Sequence, residues 1–191
     1  GKFNASNLLA VFGSAVLLGE KEEEILLALS SIPPVRGRFE RIPLRNGCVA
    51  IVDYAHTPDA LEKVLATVRS IRTNNERILT IVGCGGDRDS GKRPMMAQVA
   101  AELSDKVILT SDNPRSEDPA GIIAQIIAGA ESAGTKLQVI EDRASAILHS
   151  IRHAGKNDVV LVAGKGHEDY QEVKGRRLAF RDADHAALAL A

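Results

Sequence analysis

The sequence contains little cysteine and few aromatic residues. Cys48 and Cys84 are its two cysteines, they are far apart, and no CxxC pair is present. This spacing argues against a disulfide framework and against a structural zinc site. Tryptophan is absent, and aromatic residues make up 3% of the chain. At 191 residues the chain can bury most of its apolar surface in one core, so folding requires neither disulfides nor a metal.

Long apolar runs and an excess of one charge are also missing. With 24 basic and 25 acidic residues the formal net charge is -1, which gives no general attraction to nucleic acid or to an anionic membrane. No stretch approaches 18 uninterrupted apolar residues, and the N-terminus lacks a basic-then-apolar signal. We therefore expect a cytoplasmic protein without nucleic-acid or membrane partners. Because the chain begins at Gly1 without Met, we expect it to be a piece of a longer protein.

Two organisational zones are indicated. Residues 4–18 and 21–29 carry apolar side chains at helical spacing, and acidic residues lie near the start of the second helix, where the helix dipole favours them. Pro33 and Pro34 then stiffen a linker. We place a boundary here and predict a small helical unit over 1–34 and a separate domain over 35–191.

The second zone alternates short apolar runs with longer helical patterns. Strands are predicted at 48–52, 78–82, 106–109, 137–140 and 158–162. Helices are predicted at 58–71, 94–103, 119–131, 143–154 and 182–190, with a β-ribbon around Gly175. Near-continuous apolar strands alternating with helices indicate an α/β fold, namely a doubly wound, mostly parallel, Rossmann-like sheet with helices on both faces.

Polar loops follow four of the predicted strands, over residues 53–58, 83–94, 110–115 and 163–169. In doubly wound sheets the ligand binds beyond the carboxyl ends of the strands. We therefore expect these four loops to meet at one edge of the sheet and to form a site there.

The charged side chains of these loops are of both signs. Arg88 and Arg115 offer guanidinium groups, whose planar pair of donors suits a carboxylate. Asp112 and Glu168 suit an ammonium group, and Asn113 can donate to or accept from either end of a zwitterion. The combination indicates an amino-acid site, and a surface ion-pair network among the same residues explains the composition equally well.

Other sites have weaker support. Residues 86–92 fit the phosphate-loop pattern G-x-x-x-x-G-K, but Arg93 stands where a Ser or Thr would hold magnesium. The favoured alternative is a Gly-rich turn that lets the backbone approach a ligand. His149 and His153 lie four residues apart on a predicted helix, which is half of a metal site without a third ligand. No nucleophile motif is present.

Six stretches of the sequence resemble the Mur ligases, and most closely the MurE family of UDP-N-acetylmuramoyl-tripeptide synthetases. They are residues 3–7, 37–40 (Gly-Arg-Phe-Glu), 53–59 (Asp-Tyr-Ala-His-Thr-Pro-Asp), 83–94, 112–115 (Asp-Asn-Pro-Arg) and 164–168 (Gly-Lys-Gly-His-Glu). Their order and spacing match the family across nearly the whole chain.

The resemblance implies that residues 1–34 end a central ATPase domain and that 35–191 form the Mur ligase C-terminal domain. It implies an ADP-forming ligase of peptidoglycan synthesis, in which a substrate carboxylate becomes an acyl phosphate and an amine then attacks it. The implied partners are UDP-N-acetylmuramoyl-L-alanyl-D-glutamate and meso-diaminopimelate, because residues 112–115 are similar to the stretch that accompanies this amino acid. ATP and Mg²⁺ are the implied cofactors, and we expect a monomer.

The same resemblance assigns residues to two groups. Asp53 is expected on the ribose of ATP, and Arg38 near its phosphates. No catalytic residue and no metal ligand is assigned. The group implied to hold diaminopimelate is Arg88, Asp112, Asn113, Pro114, Arg115, Gly164 and Glu168. The group implied to contact ATP is Asn7, Arg38, Asp53 and His56.

Part of the family's machinery lies outside this sequence. Its phosphate loop, magnesium ligands and modified lysine belong to upstream segments, so these 191 residues alone are expected to catalyse nothing. Three alternatives stay open: a lysine-adding ligase, a non-catalytic amino-acid-binding module, and a nucleotide hydrolase that uses residues 86–92.

Overall fold

The computed structural model describes residues 2–72, 75–130 and 136–190, and for residues 2–4 it describes the backbone alone. The chain divides into two compact units, Gly1–Val35 and Arg36–Ala191. No helix in these ranges is long and apolar enough to cross a membrane.

The first unit is a helical hairpin. Helix α1 spans Lys2–Leu17 and helix α2 spans Glu22–Ser31. Three glutamates occupy the first turn of α2, where their charge complements the helix dipole. The helix ends before Ile32, whose backbone is extended because Pro33 follows it.

The second unit contains the remaining elements, in an order that alternates strands and helices. The strands are β1 (Glu40–Pro43), β2 (Val49–Asp53), β3 (Ile78–Val82), β4 (Lys106–Leu109), β5 (Leu137–Val139), β6 (Val159–Ala163), β7 (Tyr170–Val173) and β8 (Arg176–Ala179). The helices are α3 (Pro58–Ile71), α4 (Lys92–Leu103), α5 (Pro119–Ile127), α6 (Arg143–His153) and α7 (Asp182–Leu188).

Among the described residues the central sheet has six strands in the order β1-β2-β6-β3-β4-β5. Strands β2 to β6 are mutually parallel, and β1 pairs antiparallel with β2. Strand β6 lies between β2 and β3, with Val162 opposite Val52 and Ile81. Strands β7 and β8 form a separate antiparallel hairpin.

Two hydrophobic cores lie on opposite faces of the sheet. On one face, side chains from α3, α4 and α5, such as Leu65, Met96 and Ile126, pack against the strands with almost no exposure. On the other face, Ile147 of α6 and Ala186 of α7 do the same. Burial on both faces explains why the central strands are almost entirely apolar, with Thr80 of β3 as a buried exception that hydrogen-bonds to Ser104. The predicted doubly wound, mostly parallel architecture is confirmed.

The structure corrects several predicted details. Strand β1 is absent from the prediction, because its Glu-Arg-Ile-Pro sequence alternates between half-buried and exposed positions, as one-sided burial at a sheet edge produces. Strands β2 and β6 end one residue later than predicted, so Asp53 belongs to β2. Helix α4 begins at Lys92 rather than residue 94. Helix α5 ends at Ile127 rather than 131, and residue 131 lies outside the described ranges.

Candidate functional site

The four polar loops meet at the carboxyl edge of the sheet, because the strands that precede them are adjacent. The Gly164 N–H donates to the Asp53 carbonyl at 3.0 Å and thereby joins the loops after β6 and β2. The Gly86 N–H donates to the Asn113 carbonyl at 2.9 Å and joins the loops after β3 and β4. Backbone hydrogen bonds thus hold together loops that lie far apart in the sequence.

Asn113 connects the loops after β4 and β6 through its side chain. It is 2% exposed, and its Nδ2 donates to Glu168 Oε2 at 2.8 Å. Its Oδ1 accepts from Lys165 Nζ at 2.7 Å and from the Glu172 N–H at 2.9 Å. Two donors on the oxygen and a carboxylate on the nitrogen determine the orientation of this amide.

Lys165 is buried under this network. Its ammonium donates to Asn113 Oδ1 and to the Tyr170 carbonyl, both at 2.7 Å, and to Glu168 Oε2 at 3.4 Å. Asp112 Oδ1 also lies 3.4 Å from Nζ, but it is buried without a hydrogen-bond partner. Asp112 Oδ1 is therefore close enough to Nζ for Coulomb attraction. The ammonium does not point at this oxygen with the angle that a hydrogen bond needs.

Arg115 has a left-handed backbone, with φ 53°, that seats it against the β7–β8 hairpin. Its N–H donates to the Glu172 carbonyl at 2.9 Å, and its carbonyl accepts from the Lys174 N–H at 2.7 Å. Its Nη1 donates to the Gly86 carbonyl at 2.7 Å, and its Nε lies 3.8 Å from Glu172 Oε2. The backbone conformation therefore directs the guanidinium toward the loop after β3, residues 83–91, called the Gly-rich loop below.

Arg88 and Arg115 flank Gly85. A Cβ built on Gly85 would lie 2.8 Å from Arg115 Nη1 and 3.7 Å from Arg88 Cγ. A Cβ on Gly86 would collide with the Pro114 carbonyl. Arg88 is exposed, and no carboxylate of the described ranges forms an ion pair with it.

Arg93 tethers the Gly-rich loop to α5. Its side chain is 1% exposed and pairs with both oxygens of Glu117 at 2.8 Å, and it donates to Gln125 Oε1 at 2.8 Å. Its Nη2 reaches the Gly85 carbonyl at 3.1 Å. The hydrogen bonds from Arg93 to Glu117, with one from the Asp87 N–H, lower the pKa of Glu117 to about 2. Arg93 therefore has a structural role at the position where a phosphate loop has Ser or Thr.

A second cluster lies at the end of β2. The Arg38 guanidinium stacks over the Tyr54 ring, with Cζ 4.7 Å from the ring centroid. The rings of His56 and His167 lie 4.6 and 5.0 Å from that of Tyr54. Lys92 Nζ donates to the His56 carbonyl at 3.1 Å. Arg38 and His56 are both exposed, so this cluster faces solvent.

Asp53 lies underneath the second cluster. It is 4% exposed, and its Oδ2 accepts from the Phe39 N–H at 2.7 Å, which positions the loop that carries Arg38. Burial raises the pKa of Asp53, and backbone hydrogen bonds from Phe39 and Ala55 partly oppose this. In this structure Asp53 is a supporting residue, and its contact with a ribose stays a prediction.

The remaining residues that the sequence analysis singled out lie elsewhere. Asn7 is exposed on α1, in the Gly1–Val35 unit, and its contact with ATP stays a prediction. His149 and His153 stack at 4.1 Å on α6, and the described residues contain no group of three His, Cys, Asp or Glu side chains that could hold a metal. Burial raises the pKa of the Cys84 thiol to about 11, so it stays protonated at neutral pH.

A fully buried ion pair lies next to the site, on the face of the sheet that α6 and α7 cover. Arg143, at the start of α6, pairs with both oxygens of Asp182 at 2.7 Å, and both side chains have no exposure. Arg143 Nη2 also donates to the Ala163 carbonyl at 3.1 Å, directly before Gly164. The pair joins α6, α7 and the end of β6.

Residue patterns alone do not identify every part of the site. Lys165 and Glu172 are not among the predicted site residues, although both contact Asn113. The signal for Lys165 is its place between Gly164 and Gly166 beside an acidic residue, but a lysine in a polar loop is ordinarily exposed. Glu172 has no signal, because its role depends on the docking of the β7–β8 hairpin against Arg115.

The sequence and the structure are both similar to those of known proteins. Residues 37–166 match the family model described as Mur ligase, glutamate ligase domain. The chain is 56% identical, over 96% of its length, to the UDP-N-acetylmuramoyl-L-alanyl-D-glutamate--2,6-diaminopimelate ligase of Bacteroides thetaiotaomicron, and 50% identical over its whole length to the protein of the same name from a Janthinobacterium species.

A solved structure with the same ligase name superimposes on the whole chain with a TM-score of 0.77 at 40% identity. The chain spans 38% of that structure, and 38% and 37% of the lengths of the two curated relatives. The superposition covers all the loops described above, and the family model covers them as far as residue 166. The chain therefore belongs to the Mur ligase, glutamate ligase domain family.

Proposed function

We propose that this chain is the amino-acid-binding part of an ATP-dependent, ADP-forming ligase that adds meso-diaminopimelate to UDP-N-acetylmuramoyl-L-alanyl-D-glutamate. One observation carries the proposal. Asn113 joins Glu168 to the loop of Arg115, so a carboxylate, an amide and a guanidinium share one edge of the sheet. Relatives that are 50–56% identical carry the name of this ligase, which agrees with that chemistry.

The site fits one end of diaminopimelate. That end carries an ammonium and a carboxylate, whereas the side chain of lysine ends in an ammonium alone. Glu168 and Asp112 suit the ammonium, and Arg115 suits the carboxylate through a charge-assisted hydrogen bond. Arg88, on the other side of Gly85, adds a second guanidinium without a carboxylate partner among the described residues. To discriminate against lysine, this site must take the end whose carboxylate lysine lacks.

The second cluster fits a nucleotide. Arg38 supplies a positive charge for a phosphate, and the rings of Tyr54 and His56 supply flat surfaces. ATP supplies the phosphoryl group that converts the glutamate carboxylate of the acceptor into an acyl phosphate, with release of ADP. The amine of diaminopimelate then bonds to the acyl carbon as the carbon–oxygen bond to phosphate breaks, and it loses a proton to form the amide.

The chain's own part in this reaction is to bind and orient the amine-bearing substrate. A ligand held at its far end by hydrogen bonds presents its reacting amine at a defined place, which lowers the entropy cost of the reaction. No catalytic side chain within this chain is required by the proposal. Magnesium ligands are likewise not assigned to it.

The test is ligation by the intact enzyme. With ATP, Mg²⁺ and the muramyl dipeptide nucleotide, we expect ADP release that depends on meso-diaminopimelate and a product heavier by one diaminopimelate residue. Release of ADP without amino acid, by the 191-residue chain alone, would instead support the nucleotide hydrolase. Binding of diaminopimelate without any ligation by the intact protein would support a non-catalytic binding module.

A further inference from the structure

A fully buried lysine is the strongest feature that the proposed reaction does not use. Lys165 has no exposed surface, and its three N–H bonds are taken by Asn113, Tyr170 and Glu168. Burying an ammonium costs free energy, which is recovered only when its charge is compensated and its donors are satisfied. Asp112 and Glu168 both lie 3.4 Å from Nζ, so two carboxylates face this one ammonium group.

Charge counting indicates what Lys165 does. Asp112 and Glu168 contribute two negative charges, and Lys165 reduces their sum to one. Arg115 lies beside Glu172 at 3.8 Å, so that neighbouring pair is close to neutral. Apart from Arg88, these groups therefore carry about one negative charge, which one ammonium group balances, and the Arg88 guanidinium, unpaired among the described residues, is left for a carboxylate. A carboxylate on the same ligand end can then approach Arg115 without meeting an excess of negative charge.

We infer that Lys165 is a specificity-determining residue, whose buried charge makes the pocket accept a zwitterionic ligand end in preference to a lone ammonium. The inference rests on the proposed function, since it concerns the choice between diaminopimelate and lysine at that site. Lys165 influences the ligand indirectly, through Asn113, Asp112 and Glu168, and is therefore a positioning residue.

The test uses the intact ligase with Lys165→Met, which keeps an unbranched side chain one atom shorter than that of lysine and removes the charge. The pocket then holds two uncompensated carboxylates, which repel the carboxylate of diaminopimelate and attract the ammonium of lysine. We expect kcat/KM for diaminopimelate to fall. The ratio of kcat/KM for lysine to kcat/KM for diaminopimelate should rise by about tenfold or more, because charges within about 5 Å of each other are poorly screened. The KM for ATP should be unchanged.

Two further variants keep this test decisive. Lys165→Arg retains the charge in a crowded space, so it should lower both rates while leaving the lysine-to-diaminopimelate ratio close to wild type. Lys156→Met removes an exposed lysine at the opposite end of β6 and should behave as wild type. An equal loss with both amino acids in Lys165→Met, with no change in the ratio, would overturn the inference and leave a structural lysine.

The proposed function can fail separately from this inference. Wild-type enzyme that ligates neither amino acid would remove the proposed function. Wild-type enzyme that ligates diaminopimelate, together with an unshifted ratio in Lys165→Met, would remove only the role assigned to Lys165. If Lys165→Met does not fold, Lys165→Gln, which also removes the charge but keeps a donor for Asn113, decides: a rise of about tenfold in the lysine-to-diaminopimelate ratio supports the inference, and an unshifted ratio contradicts it.

Discussion

The side-chain amide of Asn113 donates to Glu168 Oε2 at 2.8 Å, across 55 residues of sequence. We predict that Asn113→Asp raises the KM for diaminopimelate by about tenfold or more and lowers stability by about 1–3 kcal/mol, because a donor to a carboxylate becomes a second acceptor. The KM for ATP should change little. Steady-state kinetics and thermal unfolding provide the two measurements.

A matched control is Asn157→Asp, in an exposed turn before β6 at the other edge of the sheet. Asn157 has a left-handed backbone, with φ 71°, which aspartate tolerates. This variant should keep wild-type kinetics. Wild-type KM in Asn113→Asp would show that the amide does not organise the amino-acid site.

The two glycines of the loop after β3 should respond differently to substitution. In Gly85→Ala the new methyl meets the mobile end of the Arg115 side chain, so the fold should persist while Arg115 is displaced. In Gly86→Ala it meets the Pro114 backbone carbonyl, which cannot move without its loop. We expect Gly85→Ala to raise the KM for diaminopimelate with a nearly unchanged Tm, and Gly86→Ala to lower the Tm clearly. Equal Tm losses would contradict this distinction.

Acid should weaken the tether of the Gly-rich loop. The Arg93 guanidinium and the Asp87 N–H lower the pKa of Glu117 from its ordinary 4.5 to about 2. A carboxyl with a lowered pKa stabilises the fold fully above its unfolded value, and this contribution is lost as the pH falls from about 4.5 toward 2. Glu117→Gln should flatten the pH dependence of unfolding in this window, as followed by denaturant titration. An unchanged slope would contradict the assignment.

The buried pair of α6 and α7 should be strongly coupled. Removing Asp182 leaves the Arg143 charge uncompensated in a site without exposure. We expect Asp182→Ala to lower the free energy of unfolding by about 3–5 kcal/mol. The double variant Arg143→Met/Asp182→Leu should lower it by clearly less, because no buried charge is left unpaired. Additive losses in denaturant unfolding would show that the two charges do not depend on each other.

Much of the fold could be predicted from the sequence, because its strongest signals are local. Central strands such as Ile78–Val82 are buried on both faces and almost entirely apolar. Thr57 and Pro58 mark the start of α3, the first by capping the helix and the second by its preset backbone angle. Strand β1 escaped prediction because an edge strand with Arg and Pro lacks a two-sided apolar pattern. Strand ends moved by one residue, since hydrogen-bonded pairing rather than composition determines them.

The candidate site could be predicted only in part. Gly, Pro and charged residues after each strand indicated where the loops would meet, and those loops do adjoin. The burial of Lys165 and the docking of Glu172 could not be predicted, because both depend on contacts with Asn113, which lies more than 50 residues away in the sequence. Asp53 illustrates a different difficulty: a carboxylate at a strand end suggests a ligand contact, whereas its neighbours bury it beneath the Phe39 N–H.

The most direct measurement is kcat/KM of the intact ligase for meso-diaminopimelate and for lysine, in the wild type and in Arg115→Ala. The wild type should prefer diaminopimelate by a factor that corresponds to about 2–5 kcal/mol, and Arg115→Ala should lose most of this preference through a raised KM for diaminopimelate, with ATP binding intact. Equal or faster turnover of lysine by the wild type would contradict the account.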